Sequence, residues 1–202
     1  MLSKIFLFYQ RIVVTFLKKL CYNESKYKRR GGAGMESGCM SPVAAARDVI
    51  RKYELHSLPI NVEELCDLLG IRLQYVDFSG IERKVGKEIS GAIQKRGEKY
   101  TILVNEDDPD VRARFTIAHE LGHYYLHMKD DSRQFVTSFR RDKSPRERAA
   151  DKFAAELLMP KKLVEREYRK MVIPVSDTLA KKFNVSKPAM RIRLEGLELM
   201  YV

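Results

Sequence analysis

Between Ile71 and Val104 the apolar residues recur at strand spacing, and beyond Asn105 they recur at helical spacing. This order, strands in one block and helices in the next, constrains the chain more than any other feature. A doubly wound parallel sheet needs the two to alternate. The pattern predicts an α+β architecture, a small antiparallel or mixed sheet packed on a mainly helical core. Ile71–Val76, Glu88–Gln94 and Lys99–Val104 read as strands, the last two joined by the turn Lys95-Arg96-Gly97-Glu98. Ahead of them, Ser41-Pro42 opens a helix over Val43–Leu55, and Asn61 caps a short one over Val62–Leu69 that Gly70 stops. After them, Asp107-Asp108-Pro109 opens a helical stretch through His127, and Ser144-Pro145 opens another through Leu158, ended by Pro160. Lys161–Met171, Ser176–Phe183 and Lys187–Met200 also read as helices. With 202 residues, 45% of them hydrophobic, the chain is long enough to bury a core and is not compositionally disordered.

Charge divides the chain unevenly. Lys and Arg number 38 against 27 Asp and Glu, a net charge of +11. Residues 1–42 hold eight of the basic residues and only Glu24 and Glu36 as acids, so they carry more than half of the excess. Two parts are expected, a basic N-terminal extension over 1–42, flexible or an amphipathic helix, and a folded domain over 43–202. The high isoelectric point describes the extension more than the domain and is weak support for nucleic-acid binding. Within the extension Ile5, Phe6, Tyr9, Ile12, Val13, Phe16, Leu17 and Leu20 recur at helical spacing. Gln10 and Arg11 interrupt the apolar run, short of the about 18 residues a membrane span needs. No small-residue cleavage site follows Leu20. Peripheral membrane contact by residues 1–30, through this helix and the Lys26–Arg30 cluster, is a lesser reading than a loosely docked extension or a translation start at Met35 or Met40. Cys21, Cys39 and Cys66 are odd in number and scattered, which favours a reducing compartment and a cytoplasmic location.

The chemistry is concentrated in one segment. Of four histidines, His119, His123 and His127 fall on a single helical stretch. In His119-Glu120-Leu121-Gly122-His123 the first and last residues are four apart and share a helix face, so both imidazoles can close on one ion. Glu120, rotated about 100° from His119, can reach a water on that ion without ligating it. Zinc suits such nitrogens, at bond lengths of about 2.0–2.1 Å. A third ligand has to come from elsewhere. In the stretch from Glu147 to Pro160, residues Ala150, Phe153, Ala154, Leu157 and Leu158 form an apolar stripe, and Glu147 and Asp151 lie one turn apart beside it. If the two helices pack, Glu147 can complete the shell of one Zn2+ ion, and Asp151 can hold the far nitrogen of a ligating histidine. The other reading makes Glu147 and Asp151 a first-turn pair that complements the helix dipole. Small Ala149, Ala150, Ala154 and Ala155 favour close packing, and Glu156 lies across the helix from Glu147.

Phe115-Thr116-Ile117-Ala118-His119-Glu120-Leu121-Gly122-His123, followed by Phe153-Ala154-Ala155-Glu156-Leu157-Leu158-Met159-Pro160, resembles the ImmA/IrrE family of zinc metallo-endopeptidases. The likeness spans roughly residues 43–200. It takes in Leu58-Pro59-Ile60-Asn61-Val62-Glu63-Glu64-Leu65, the Ser90-Gly91-Ala92 strand and Arg193-Leu194-Glu195-Gly196-Leu197. It implies a gluzincin-like metallopeptidase domain with His119, His123 and Glu147 as ligands and Glu120 as general base. It implies helix-turn-helix repressors as protein substrates. Nothing in residues 1–42 matches the pattern.

The implied reaction is peptide hydrolysis, with Glu120 taking a proton from the attacking water and returning it to the leaving amine. The oxyanion needs a further donor, and Tyr124, Tyr125, His127 and Arg146 are all candidates. One strand of the 88–104 hairpin can serve as an exposed edge for a substrate peptide, or the hairpin merely covers the helices. Leu179–Leu194 has the outline of a helix-turn-helix with Lys187, Arg191 and Arg193 near phosphates. Structural packing or partner docking is the preferred reading of that segment over direct DNA contact. A non-hydrolysing metal-containing antirepressor and a DNA-binding regulator are the alternative functions.

Overall fold

The computed structural model describes residues 40–128, 135–139, 144–171 and 176–199. The helix and basic cluster expected in the N-terminal extension lie outside the described residues.

Helix α1 spans Pro42–Lys52, with Ser41 Oγ accepting from the Ala44 N–H at 3.2 Å and Pro42 at its first position. It stops three residues short of Leu55, and Glu54 turns the chain at φ 52°. Helix α2 spans Val62–Leu68 and is capped by Asn61, whose side-chain oxygen accepts from the Glu64 N–H at 3.0 Å. Gly70, at φ 67°, then swings the chain into β1, Ile71–Val76. A helix without a sequence signal follows: α3, Ser79–Val85. Asp77 Oδ1 accepts from the Ser79 N–H at 2.7 Å and starts it, and Gly86 at φ 68° ends it. With seven residues and none buried, α3 leaves no apolar period to read.

Strands β2 (Ile89–Arg96) and β3 (Lys99–Asn105) form the expected hairpin, closing at the Arg96–Lys99 pair, with Gly97 in the turn at φ 59°. Of the two readings of this hairpin, the one with an exposed edge strand does not hold. β1 runs parallel to β3, Ile71 opposite Tyr100, and β4, Phe135–Phe139, runs antiparallel to β2. The order is β1-β3-β2-β4, so both hairpin strands are interior. The reason is β4, a five-residue strand that arrives from beyond the metal-motif helix and pairs across about 45 residues of chain. Among the described residues the edges are β1 and β4.

The remaining elements are α4 (Asp110–His123), α5 (Pro145–Leu158), α6 (Lys161–Arg169), α7 (Ser176–Phe183) and α8 (Lys187–Gly196). The helix expected to run through His127 changes character at Tyr124, where Tyr124–Met128 winds as a π-helical turn. From Thr116 to His123 every residue of α4 is buried, because β2 and β3 cover one side and α5 the other. Gly122 sets the second contact. A Cβ there would stand 3.0 Å from Ala150 Cα and 3.1 Å from its carbonyl oxygen, so only glycine lets the two helices come this close. Ala150 and Ala154 are fully buried at that interface. The core continues through Ile93, Ile102, Ile117, Leu121, Phe153, Leu157 and Phe183.

Candidate metal centre

The close approach of α4 and α5 brings two imidazoles and a carboxylate together. His119 Nε2 and His123 Nε2 lie 3.1 Å apart, Glu147 Oε2 lies 3.0 Å from the first and Glu147 Oε1 3.1 Å from the second. Glu147 sits in the first turn of α5, where Ser144 Oγ accepts its N–H at 3.3 Å and fixes that end of the helix. All three residues are buried, and together they could hold one metal ion. The edge of a tetrahedron around an ion with bonds of 2.0–2.1 Å is about 3.3–3.4 Å, so the observed spacing suits such an ion with little rearrangement.

Asp151, one turn along α5 from Glu147, accepts from His119 Nδ1–H at 2.9 Å. That bond fixes the ring and leaves Nε2 turned inward. Electrostatics follow from this arrangement. Burial pulls the His119 imidazole down, but its bonds to Asp151 and Glu147 and the charges of Glu120 and Glu147 outweigh burial and hold it at about 10. Burial likewise raises Glu147, yet the two histidines bring it down to about 2. Each group is thus held in its charged form by the other.

Glu120 has a different environment. It is 0% exposed, and neither carboxylate oxygen makes a formed hydrogen bond. Burial pushes its carboxyl up, against the pull of His123, His119 and the Ser138 hydroxyl. It stands beside the three residues that could hold an ion without joining their hydrogen-bonded cluster.

The other polar candidates scatter. Tyr124 packs edge-on to Tyr100 of β3, centroids 4.8 Å apart. Tyr125 stacks on the core residue Phe153 at 5.6 Å, and burial with the neighbouring Tyr53 pushes its phenol up. The His127 ring lies 5.4 Å from that of His123, and Arg146 is half-buried next to Glu147 in the first turn of α5. Glu156 belongs elsewhere: it is buried and receives Arg47 Nε at 2.8 Å and Arg193 Nη2. In the α7–α8 segment, Lys187 pairs with Asp177, Arg191 with Glu195 at 2.9 Å and Arg193 with Glu156. Two residues beside Glu120 had no signal as site residues in the sequence, Gly91 on β2 and Ser138 on β4. The crossing of α4 over β2 brings Gly91 to the site, and the pairing of β4 with β2 brings Ser138.

A mixed sheet laid on a buried helix that supplies two imidazoles, with a carboxylate from a second helix, defines an α+β protein built around a candidate mononuclear metal site. The family described as the IrrE N-terminal-like domain, Peptidase_M78, matches residues 66–195, and the chain belongs to it. It is similar to the metallopeptidase ImmA of Bacillus subtilis (strain 168), with 32% identity over 106 residues, 52% of this chain and 57% of that protein. The match thus spans little more than half of the relative's length.

Proposed function

We propose that this protein is a zinc-dependent endopeptidase that cleaves a regulatory protein, in the first instance a helix-turn-helix repressor. One observation carries the reading. His119, His123 and Glu147 converge, and the fully buried carboxylate of Glu120 stands beside them. Membership of a peptidase family and likeness to a metallopeptidase support it.

His119, His123 and Glu147 would hold one Zn2+ ion. Zinc there would supply a Lewis acid that brings the pKa of water toward about 7 and polarises a peptide carbonyl. Glu120 takes the proton of the attacking water on a carboxylate oxygen and returns it to the leaving amine nitrogen. Burial, by raising its basicity, suits it to that task. Asp151 keeps the His119 ring oriented. Tyr124, His127 and Arg146 remain the donors nearest in sequence to the ligands for the oxyanion, whereas the stacking of Tyr125 on Phe153 favours a core role.

The acid partners of Lys187, Arg191 and Arg193 favour packing over phosphate contact for the α7–α8 segment. No helix of the described residues is long and apolar enough to cross a membrane. We place the protein in the cytoplasm, with its repressor substrate.

Co-expression with candidate repressors, followed by mass mapping of the fragments, tests the function directly. Glu120→Gln is expected to keep its zinc, measured by atomic absorption, and to release no fragments. Glu147→Ala is expected to lose most of its zinc. Cleavage at the wild-type rate by Glu120→Gln would remove the assigned base.

A further inference from the structure

Where α4 crosses β2, the sheet has a gap in its side-chain layer, and the Glu120 carboxylate occupies it. The β2 residue beneath is Gly91. A Cβ on Gly91 would stand 3.2 Å from Glu120 Oε1, 3.1 Å from the Leu103 carbonyl oxygen and 2.4 Å from Thr116 Cγ2. No side chain larger than hydrogen fits there without displacing the helix or the carboxylate.

Gly91 is paired with Ser138 across the β2–β4 ladder. Paired residues of an antiparallel ladder present their side chains to the same face, with Cβ atoms about 4.5–5.5 Å apart. Ser138 therefore projects on the face from which Glu120 approaches. It is 1% exposed, and its hydroxyl, like both Glu120 oxygens, makes no formed hydrogen bond. An ionised carboxylate only accepts, and a serine hydroxyl has one proton to donate and rotates freely to aim it. Two complementary buried groups, each otherwise unmatched, thus face one crossing, where leaving both unpaired costs more than joining them.

The ladder is irregular on the β2 side of Ser138. A register shift separates the Ile89–Phe139 pair from Gly91–Ser138. Irregularities of this kind re-aim side chains beside active sites. Ser90 Oγ also donates to the Ser138 carbonyl oxygen at 2.9 Å, bridging the two strands at that point.

We propose that Ser138 is a positioning residue that holds the Glu120 carboxylate through a hydrogen bond from its hydroxyl, with Gly91 keeping the space open for both. The role rests on Glu120 being the general base. A carboxylate buried without a donor can turn about its side-chain torsions, and a fixed donor selects the orientation that faces the ligand cluster.

The test uses the full chain loaded with zinc. Infrared difference spectra of 13C-glutamate-labelled protein against Glu120→Gln isolate the Glu120 carboxyl band. Ser138→Ala is expected to shift that band, and Ser138→Thr, which keeps the hydroxyl, to leave it near its original position. In parallel, hydrolysis of fluorescein-labelled casein is expected to show kcat lowered about 10-fold in Ser138→Ala, with KM and zinc content unchanged. A band unmoved by Ser138→Ala overturns the contact. A shifted band with wild-type kcat, while Glu120→Gln is inactive, overturns the positioning role alone. Wild-type hydrolysis by Glu120→Gln would instead remove the general-base reading, and the role of Ser138 with it.

Discussion

Its bonds to Asp151 and Glu147 outweigh burial and favour the protonated form of the His119 imidazole well above the usual histidine range, with one ring nitrogen facing each carboxylate. A divalent cation has to displace the inner proton, so uptake of the ion and release of a proton are coupled. Protons compete less as pH rises, so zinc affinity is expected to increase from pH 6 to pH 8. Calorimetry in buffers of different ionisation enthalpy is expected to show close to one proton released per zinc at pH 7. Asp151 has a separate effect, since it orients the ring rather than holding the ion. Asp151→Ala is expected to weaken zinc binding about 10–100-fold in competition with a chromophoric chelator, while stoichiometry stays at one. At this scale the residues of the candidate centre differed in how far they were legible in the sequence. Four-residue spacing on one helix is a local property, so His119 and His123 were readable as a pair. Glu147 and Asp151 were readable only on the condition that two helices pack. Ser138 was not readable, because its place depends on a ladder between strands that α4 separates in the chain.

The elements explain why that condition is met. Gly122 lies between the two histidines in sequence but faces α5, where its missing side chain admits the backbone of Ala150. Gly122→Ala inserts a methyl group against Cα and carbonyl atoms, which cannot rotate aside. Overpacking of this kind costs about 1–3 kcal/mol. Expected outcomes are a lower Tm and weaker zinc binding, since separating α4 from α5 moves Glu147 from the imidazoles; a variant with unchanged zinc affinity would show that the helices can slide without opening the centre. Helices with polar caps or proline starts and the β2–β3 hairpin were legible because their signals are local. The missed elements, α3 and β4, are short, and β4 takes its identity from β2 rather than from its own pattern. The change to a π turn after His123 has no marker in the residues themselves. Between α6 and α7, Glu167 is buried among Lys170, Lys182 and Arg166, and its bonds to those cations hold its carboxyl at about 2. A carboxyl depressed in the folded state contributes stability that is present above its unfolded pKa, about 4.3, and is lost as pH falls through about 2. Chemical denaturation between pH 5 and pH 2 is expected to fall less steeply in Glu167→Gln than in wild type.

Across the described residues, arginine hydrogen bonds and ion pairs join segments distant in sequence. Arg114 of α4 donates to the Ile60 carbonyl at 2.6 Å and to the Asn184 carbonyl at 3.4 Å, linking the helix that carries both histidines to the entry of α2 and the turn after α7. Glu156 of α5 gathers Arg47 from α1 and Arg193 from α8, and Arg193 Nε also donates to the Met159 carbonyl at 2.9 Å. The helix bearing Glu147 is therefore anchored at its far end by groups that have nothing to do with the ion. The apolar core around Ile117, Leu121, Phe153 and Leu157 is likewise complete without it. Folding and metal binding should then be separable, unlike in small domains that the ion alone holds together. A ligand present at 100 times its Kd stabilises the state that binds it by about 2.7 kcal/mol. For a domain of this size each kcal/mol moves Tm by about 2–4 °C. Chelation is therefore expected to lower Tm by about 5–10 °C while leaving the far-ultraviolet circular dichroism at 25 °C unchanged, and Glu147→Ala is expected to melt at one temperature with or without zinc. Loss of helical signal on chelation at 25 °C would show instead that α4 and α5 need the ion to stay together.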